Sequence, residues 1–493
     1  MTEQALGPPA APDSGAGTEP PSSARSEPVV DTIAAVATAP GLGAVAMVRL
    51  SGSRALDIIR LLTPDHPGDV PARSPRLSAL QDPSSGALLD RALVTTFPAP
   101  DSYTGEDVVE ISSHGGWLVP ALVLEACQAA GARLADPGEF TRRAVLHGKM
   151  DLVQAEAVLD LVEGHSKALH DSALFQLDRG LSRRIGALHE QVVTVQALLV
   201  HHIDFPEEDE APVSVERIVE EARALLVTLD ELLSTAPEGE LLREGALTVL
   251  AGLPNSGKSS LFNALLGQDR AIVTEIPGTT RDALEAVVSL GGFPFRLVDT
   301  AGIRDTEETV ERLGVAVARR YLDSADLVLL CVEGGRALFE DELRFLGDLR
   351  NVPVVLLRTK ADLAVIKTAA VPVSGGAGPK PEAAIAAAET IEISVLDGTG
   401  VARLQELLPT LVYRGFVRTG VCVPALTRAR HREGVRAARD HVADFIEALE
   451  RAVPAEMAST HLRPAETALE ELLGVISNDE VLDRVFRDFC IGK

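Results

Sequence analysis

Polar and apolar positions along the chain fall into blocks of different period. In residues 30–148, short runs of strand character (TIAAVATA, GAVAMVRL, RALVTTF, DVVEISS) alternate with helical stretches such as VPALVLEACQAAG. That mixture predicts an α+β domain. From 149 to 243 the period lengthens, and MDLVQAEAVLDLVEGHSKALHDSALFQL carries apolar residues at the spacing of amphipathic helices. In residues 244–416 the runs LTVLAG, FRLVDT, DLVLLCV, VPVVLLR and TIEIS are apolar strands separated by helical segments, which predicts a doubly wound parallel α/β sheet. Residues 417–493 return to a helical pattern. A helical region interrupted in this way predicts an inserted module, with the two helical parts packing on each other. Residues 1–29, rich in Pro, Ala, Gly and Ser, predict a disordered tail.

Composition narrows the class. A chain of 493 residues with 46% hydrophobic residues has material for several packed cores, about three at ~150 residues each. The four cysteines, Cys127, Cys331, Cys422 and Cys490, form no CxxC pair and no His/Cys cluster. Zinc-finger spacing is excluded and a disulfide framework is disfavoured, so a cytoplasmic location is the expectation. No apolar run approaches the ~20 residues that a membrane-spanning helix needs. The formal net charge of −26 opposes unselective coating of nucleic acid. Contact with RNA would then need a local basic patch or a partner. Arg428, Arg432, Arg436 and Arg439 recur at helical spacing, either as such a patch or as a solvated face pairing with acids. The run HHIDFPEEDE, with His201, His202 and Asp204, reads as a solvated acidic loop more readily than as a metal site.

The chemistry is carried by GLPNSGKS, residues 252–259, which follows the strand LTVLA and precedes the helical SLFNALLG. Strand before and helix after give the P-loop pattern its structural context. Backbone N–H groups of Asn255, Ser256, Gly257 and Lys258, with Ser259 and Ser260 opening the helix, are placed to cradle phosphates. Lys258 should reach the β- and γ-phosphates and Ser259 should ligate Mg²⁺. Further motifs follow in order. PGTTRD offers Thr279 and Thr280 for metal and γ-phosphate, and DTAG offers Asp299, Thr300, Ala301 and Gly302. TKAD supplies Thr359, Lys360, Ala361 and Asp362, and Ser394, Val395 and Leu396 follow the last strand. Asp362 selects the base: a carboxylate accepts from the N1–H and N2–H₂ donors of guanine, whereas adenine presents an acceptor at N1. The pattern is that of a GTPase.

Three departures from the usual pattern stand out, the mildest being S-V-L at residues 394–396 for the usual S-A-K, where the contact is mainly main chain. Thr359 occupies the position of the usual Asn, so a hydroxyl must replace an amide. Ile303 follows DTAG where many small GTPases place a water-orienting Gln. Another group must then hold the water, and Glu311 is the candidate.

The segments DTIAAVATAPGLGAVAMVRLSG, YTGEDVVEISSHGG, PGEFTRRAVLHGKMDLVQAEAV, LLREG, PGTTRD, DTAGIRDTEETVERLG and FCIGK together resemble the MnmE (TrmE) family of tRNA modification GTPases, over residues 30–493. The resemblance implies an N-terminal tetrahydrofolate-binding α+β domain, an all-α domain and an inserted Ras-like P-loop G domain. It implies a homodimer acting with the FAD-dependent partner MnmG (GidA) on C5 of the wobble uridine of tRNA. It implies 5-formyl- or methylene-tetrahydrofolate as the one-carbon carrier, held by Arg49, Glu110, Lys149 and Lys493. It also implies K⁺ beside the nucleotide, ligated by Asn255, Thr274, Ile276 and Thr279. Glu275, Pro277, Gly278 and Thr280 of the same loop would line the nucleotide, and Ser259 and Thr280 would hold Mg²⁺. Cys490, in FCIGK, is either a chemical group of the modification site or a small hydrophobe. Within this resemblance the rival readings are a binding-only regulatory switch and a free-standing folate enzyme with a GTPase regulator.

Overall fold

A computed structural model describes residues 31–64, 72–204, 213–268, 284–299, 321–349, 352–363, 389–475, 479–487 and 489–492. The chain divides into two compact units. The first takes residues up to 102, residues 106–136 and Gly492; the second takes 103–105 and 137–491.

In the first unit, β1 (Ile33–Val36), β2 (Val45–Ser51), β3 (Arg76–Gln81), β4 (Leu88–Phe97), β5 (Val108–His114) and β6 (Arg133–Leu134) form one sheet in the order β3-β4-β5-β2-β1-β6. All pairs are antiparallel except β1 with β6. Alternate residues Val48, Leu50, Val94, Val109 and Ile111 point to one face, as the two-residue period of a strand requires. There they meet Ile58, Ile59 and Leu62 of α1 (Ala55–Leu62) and Val123, Ala126 and Cys127 of α2 (Leu118–Ala129). Burial pushes the Cys127 thiol up to about 12, so it is a small hydrophobe.

The second unit begins with helices: α3 (Glu139–Leu146), α4 (Leu152–Glu163), α5 (Lys167–Leu177), α6 (Gly180–Asp204), α7 (Val215–Leu233) and α8 (Ala236–Glu244). Asp151 starts α4 with a capping box to Gln154. His201, His202 and Asp204 lie in the last turn of α6, and they belong to no candidate metal cluster among the described residues. The G domain follows, with β7 (Ala246–Ala251), α9 (Lys258–Gln268), β8 (Leu284–Leu290), β9 (Phe293–Asp299), β10 (Leu327–Glu333), α10 (Glu340–Asp348), β11 (Val354–Thr359), β12 (Glu389–Glu392) and α11 (Val401–Val412). Its sheet runs β12-β11-β10-β7-β9-β8. The sheet is not wholly parallel as the sequence suggested, because β8 runs antiparallel to β9 at the edge. A two-glycine turn, Gly291–Gly292, makes that hairpin and leaves no room for a crossover helix.

Inner strands of this sheet are buried on both faces, which is why they read as unbroken apolar runs. Leu327, Leu329 and Cys331 face one core, and Val328, Leu330 and Val332 face the other. After α11 come α12 (Arg414–Thr419), α13 (Ala429–Glu450), α14 (Leu462–Leu473) and α15 (Asp479–Phe486). Helices α6, α7, α13 and α14 share one core, so segments on either side of the G domain pack as one bundle. The fully buried Tyr413 closes the module on its first strand: its hydroxyl accepts from Ala246 N at 3.2 Å and donates to Pro294 O at 2.6 Å.

Helix α4 is apolar almost all round, yet it carries two buried acids. Glu156, 2% exposed, binds Arg430 at 2.9 Å and His431 at 2.5 Å on α13. Burial alone would raise its pKa, but Arg430 and His431 outweigh that and hold it well below the carboxylate range. Burial lowers the pKa of His431 below 6.5 against the pull of Glu156. Both groups therefore release protons more readily folded than unfolded, and both contributions are lost as pH falls. His431 begins to weaken the fold as pH falls below its ordinary 6.5, and Glu156 as it falls below its ordinary 4.5. Glu156→Gln should destabilise the protein by about 3–5 kcal/mol at neutral pH, because it leaves the Arg430 guanidinium without its buried charge partner. It should also flatten the acid limb of a pH–stability curve measured by urea unfolding.

Candidate nucleotide-binding site

The site is built where β7 gives way to α9. Gly252 (φ 139°) and Asn255 (φ 63°) take positive φ, which folds residues 252–257 into a tight loop over the helix N-terminus. A Cβ at Gly252 would run into the carbonyl of Cys331 on β10, so the loop needs glycine there. Lys258, 5% exposed, donates through Nζ to Gly252 O at 3.0 Å and Leu253 O at 2.9 Å. Its ammonium thus lies along the loop on which phosphates bind. Ser256 is buried, and its Oγ has no hydrogen-bond partner among the described residues. Asn255, Ser259 and Ser260 are exposed.

Asp299 ends β9 and is 1% exposed. Ser259 Oγ donates to Asp299 Oδ2 at 2.7 Å. A hydroxyl and a buried carboxylate side by side at a phosphate loop are hard oxygen donors of the kind Mg²⁺ takes, so these residues fit that ion.

The segments expected to face the base leave the ends of β11 and β12. Thr359, buried at the end of β11, donates through Oγ1 to Ser256 O at 2.7 Å. The hydroxyl thereby ties the loop after β11 to residues 252–259. Lys360 takes φ 56° and pairs with Glu333 at 3.2 Å, while Asp362 is exposed just beyond. Ala361 N donates to Ile393 O at 3.1 Å, which joins this loop to the segment carrying Ser394, Val395 and Leu396. Ser394 is buried and Leu396 exposed. Thr274, Glu275, Ile276, Pro277, Gly278, Thr279, Thr280, Thr300, Ala301, Gly302 and Glu311 lie outside the described residues.

Elsewhere, Arg49 and Glu110 are cross-strand neighbours on β2 and β5, and Arg49 donates to Glu110 Oε1 through Nε at 3.1 Å and Nη2 at 2.8 Å. Arg49 Nη1 also donates to Gly492 O at 3.4 Å, within the first unit. Lys149 is exposed in the second unit, and Lys493 lies outside the described residues. The C-terminal segment is anchored: Phe489 packs with Phe486, Leu152, Ala155 and Leu159. Cys490 is exposed, beside Val158, Leu159 and Val162 of α4. Arg428, just before α13, pairs with Asp160, and on α13 Arg432 pairs with Glu240 and Arg439 with Asp230, while Arg436 is exposed. Asp160 and Arg243 went unnoticed in the sequence. The clue was an acid in a helix whose neighbours leave it no solvent face.

The flanking domains decide the family. Residues 152–490 match the model of the MnmE helical domain, and residues 32–149 that of the GTP-binding protein TrmE N-terminus. The tRNA modification GTPase MnmE of Moorella thermoacetica is 42% identical over 469 residues, 94% of this chain and 99% of that protein. This chain belongs to the MnmE family of tRNA modification GTPases. The MnmE of Heliobacterium modesticaldum is 40% identical over 94% of this chain and 100% of its own length, and that of Alkaliphilus oremlandii 36% over 94% and 99%. An MnmE chain therefore combines an N-terminal α+β domain, a helical domain and a P-loop G domain, and no helix among the described residues is long and apolar enough to cross a membrane.

Proposed function

We propose that this chain hydrolyses GTP in its inserted module and couples that hydrolysis to modification of C5 of the wobble uridine (U34) of tRNA. An aminomethyl or carboxymethylaminomethyl group would be added together with the FAD-dependent partner MnmG. The observation that carries the reading is the likeness to MnmE along 94% of the chain, joined to a phosphate loop whose Ser259 meets the buried Asp299. The boundaries we assign are 30–148 for the folate-binding domain, 149–243 and 417–493 for the helical domain, and 244–416 for the G domain.

The residues divide the work. Lys258 leaves the loop carbonyls for the β- and γ-phosphates, and the amides of residues 255–258 bind the phosphate oxygens. Ser259, Thr280 and Asp299 hold Mg²⁺, which neutralises charge on the phosphate oxygens when bound. Asp362 receives the guanine N1–H and N2–H₂, and Glu311 orients the attacking water. Arg49, Glu110, Lys149 and Lys493 hold methylene-tetrahydrofolate; cations suit its glutamate tail and a carboxylate its donor-bearing pterin edge. Two chains pair through their G domains with K⁺ held by Asn255, Thr274, Ile276 and Thr279. The partner supplies the cationic surface that a chain of net charge −26 lacks for tRNA, and the assembly works in the cytoplasm.

The proposal is tested by reconstitution: this protein, MnmG, tRNA, GTP and methylene-tetrahydrofolate should yield a mass increase at the wobble uridine, and an unchanged nucleoside rejects the reading. GTP turnover should be at least about ten-fold faster in KCl than in NaCl at equal ionic strength, as expected of a cation that offsets charge on the bridging oxygens. Equal rates would remove K⁺ from the account. Cys490→Ser should abolish uridine modification while leaving GTP hydrolysis unchanged; full modification would make the thiol packing material.

A further inference from the structure

The two chain connections that bind the G domain to the helical part meet on one buried carboxylate. Arg243 lies in α8, three positions before the first strand of the G domain, and Arg428 lies immediately before α13, on the chain leaving it. Both reach Asp160 of α4, Arg428 through Nη2 at 2.5 Å and Arg243 through Nε at 3.3 Å, each to the same oxygen. Asp160 is 3% exposed. A second tie runs beside it, Arg432 Nη1 of α13 to Glu240 Oε2 of α8 at 2.5 Å. Flexible linkers are exposed and rich in Gly, Ser or charge; these connections end in ion pairs, of which Arg428–Asp160 is desolvated on both sides and expensive to break. Displacement of the module is therefore not absorbed at its junction. It is delivered to α4.

The same helix holds the C-terminal segment. Leu152, Ala155 and Leu159 pack on Phe486 and Phe489, and Val158, Leu159 and Val162 lie beside Cys490. Leu159 is the neighbour of Asp160 in sequence, so a rotation or shift of α4 at its junction moves the seat of Cys490 with it. Close-packed interiors pass such shifts on rather than deform.

We propose that Asp160, clamped by Arg243 and Arg428, is the positioning residue through which the nucleotide state of the G domain moves α4 and, with it, the segment carrying Cys490. This rests on the reading above that nucleotide turnover serves chemistry elsewhere in the chain, and it names the connection. Other links between the helical part and the module, such as Ala168 N of α5 to Gly292 O at 2.9 Å and Gly415 N to Glu238 Oε2 of α8 at 2.8 Å, do not involve the clamp and survive substitution there.

The test reads the accessibility of the Cys490 thiol in the full-length protein and requires neither tRNA nor partner, so it can fail while uridine modification succeeds, and the reverse. Cys422→Ser removes the other exposed thiol; Cys127 and Cys331 are buried. In that background, a β,γ-imido GTP analogue in KCl with Mg²⁺ should change the rate of Cys490 alkylation by iodoacetamide about five-fold or more. Arg243→Gln should abolish the response while GTP turnover and the melting temperature stay close to the parent's. Arg243→Lys, which keeps a cation, should restore part of it. Asp160→Asn is the companion variant, and it should show the same loss. A parent protein whose Cys490 rate ignores the analogue, or an Arg243→Gln protein that responds as fully as the parent, overturns the proposal.

Discussion

Lys258→Ala is expected to lower GTP turnover by about 10²–10³-fold, the usual loss when one preorganised charge is removed from a developing anion. Lys258 is 5% exposed, and two carbonyls of the phosphate loop hold its ammonium beside the place from which it moves onto the phosphates. Alanine removes the charge and also two hydrogen bonds that shape the loop. Phosphate release at saturating GTP, with the melting temperature as a control on folding, measures the effect. A loss under ten-fold in a folded protein would mean that the loop is not the phosphate site.

Asp362→Asn should reverse base preference. A carboxylate accepts from both guanine donors, whereas an amide keeps one acceptor and turns a donor toward the exocyclic N2–H₂. Xanthine carries a carbonyl at that position and restores the match. A site built for a hydrogen bond rejects the wrong partner strongly, so kcat/KM for GTP should fall by about 10³-fold and that for xanthosine triphosphate should rise. Asp362 is exposed at the end of the β11 loop, so the substitution should leave the fold intact. An unchanged preference would assign base recognition to other residues. The Thr359 hydroxyl bonds the phosphate loop, so weak discrimination is not expected from a loose base loop.

The sequence disclosed features that have a period or a fixed spacing. Strands β10 and β11 read clearly because burial on both faces leaves no polar alternation to confuse them. The edge strand β8 (LEAVVSL) was missed, since a hairpin partner looks like a continuation of its neighbour. Its antiparallel sense follows from the Gly291–Gly292 turn. Strand β3 was missed for a related reason: RLSALQ has three apolar residues in six and sits beside a Pro- and Ser-containing stretch. The phosphate loop was legible because its geometry demands glycine at fixed positions. The pairing of Arg49 with Glu110 was not, because cross-strand register depends on the whole sheet. Least legible was the clamp on Asp160. Its partners stand 83 and 268 positions away, and only tertiary packing brings Arg243 and Arg428 to one oxygen. For the same reason Arg428 and the arginines of α13 read as an RNA patch in sequence, although their acidic partners lie on α4, α7 and α8.

The central claim is that cleavage of GTP in the inserted module drives chemistry on tRNA. It is tested most directly in the reconstituted mixture by replacing GTP with its β,γ-imido analogue, which binds but is not cleaved. The account predicts modified wobble uridine with GTP and none above background with the analogue. Equal yields of modified uridine with the two nucleotides would contradict it.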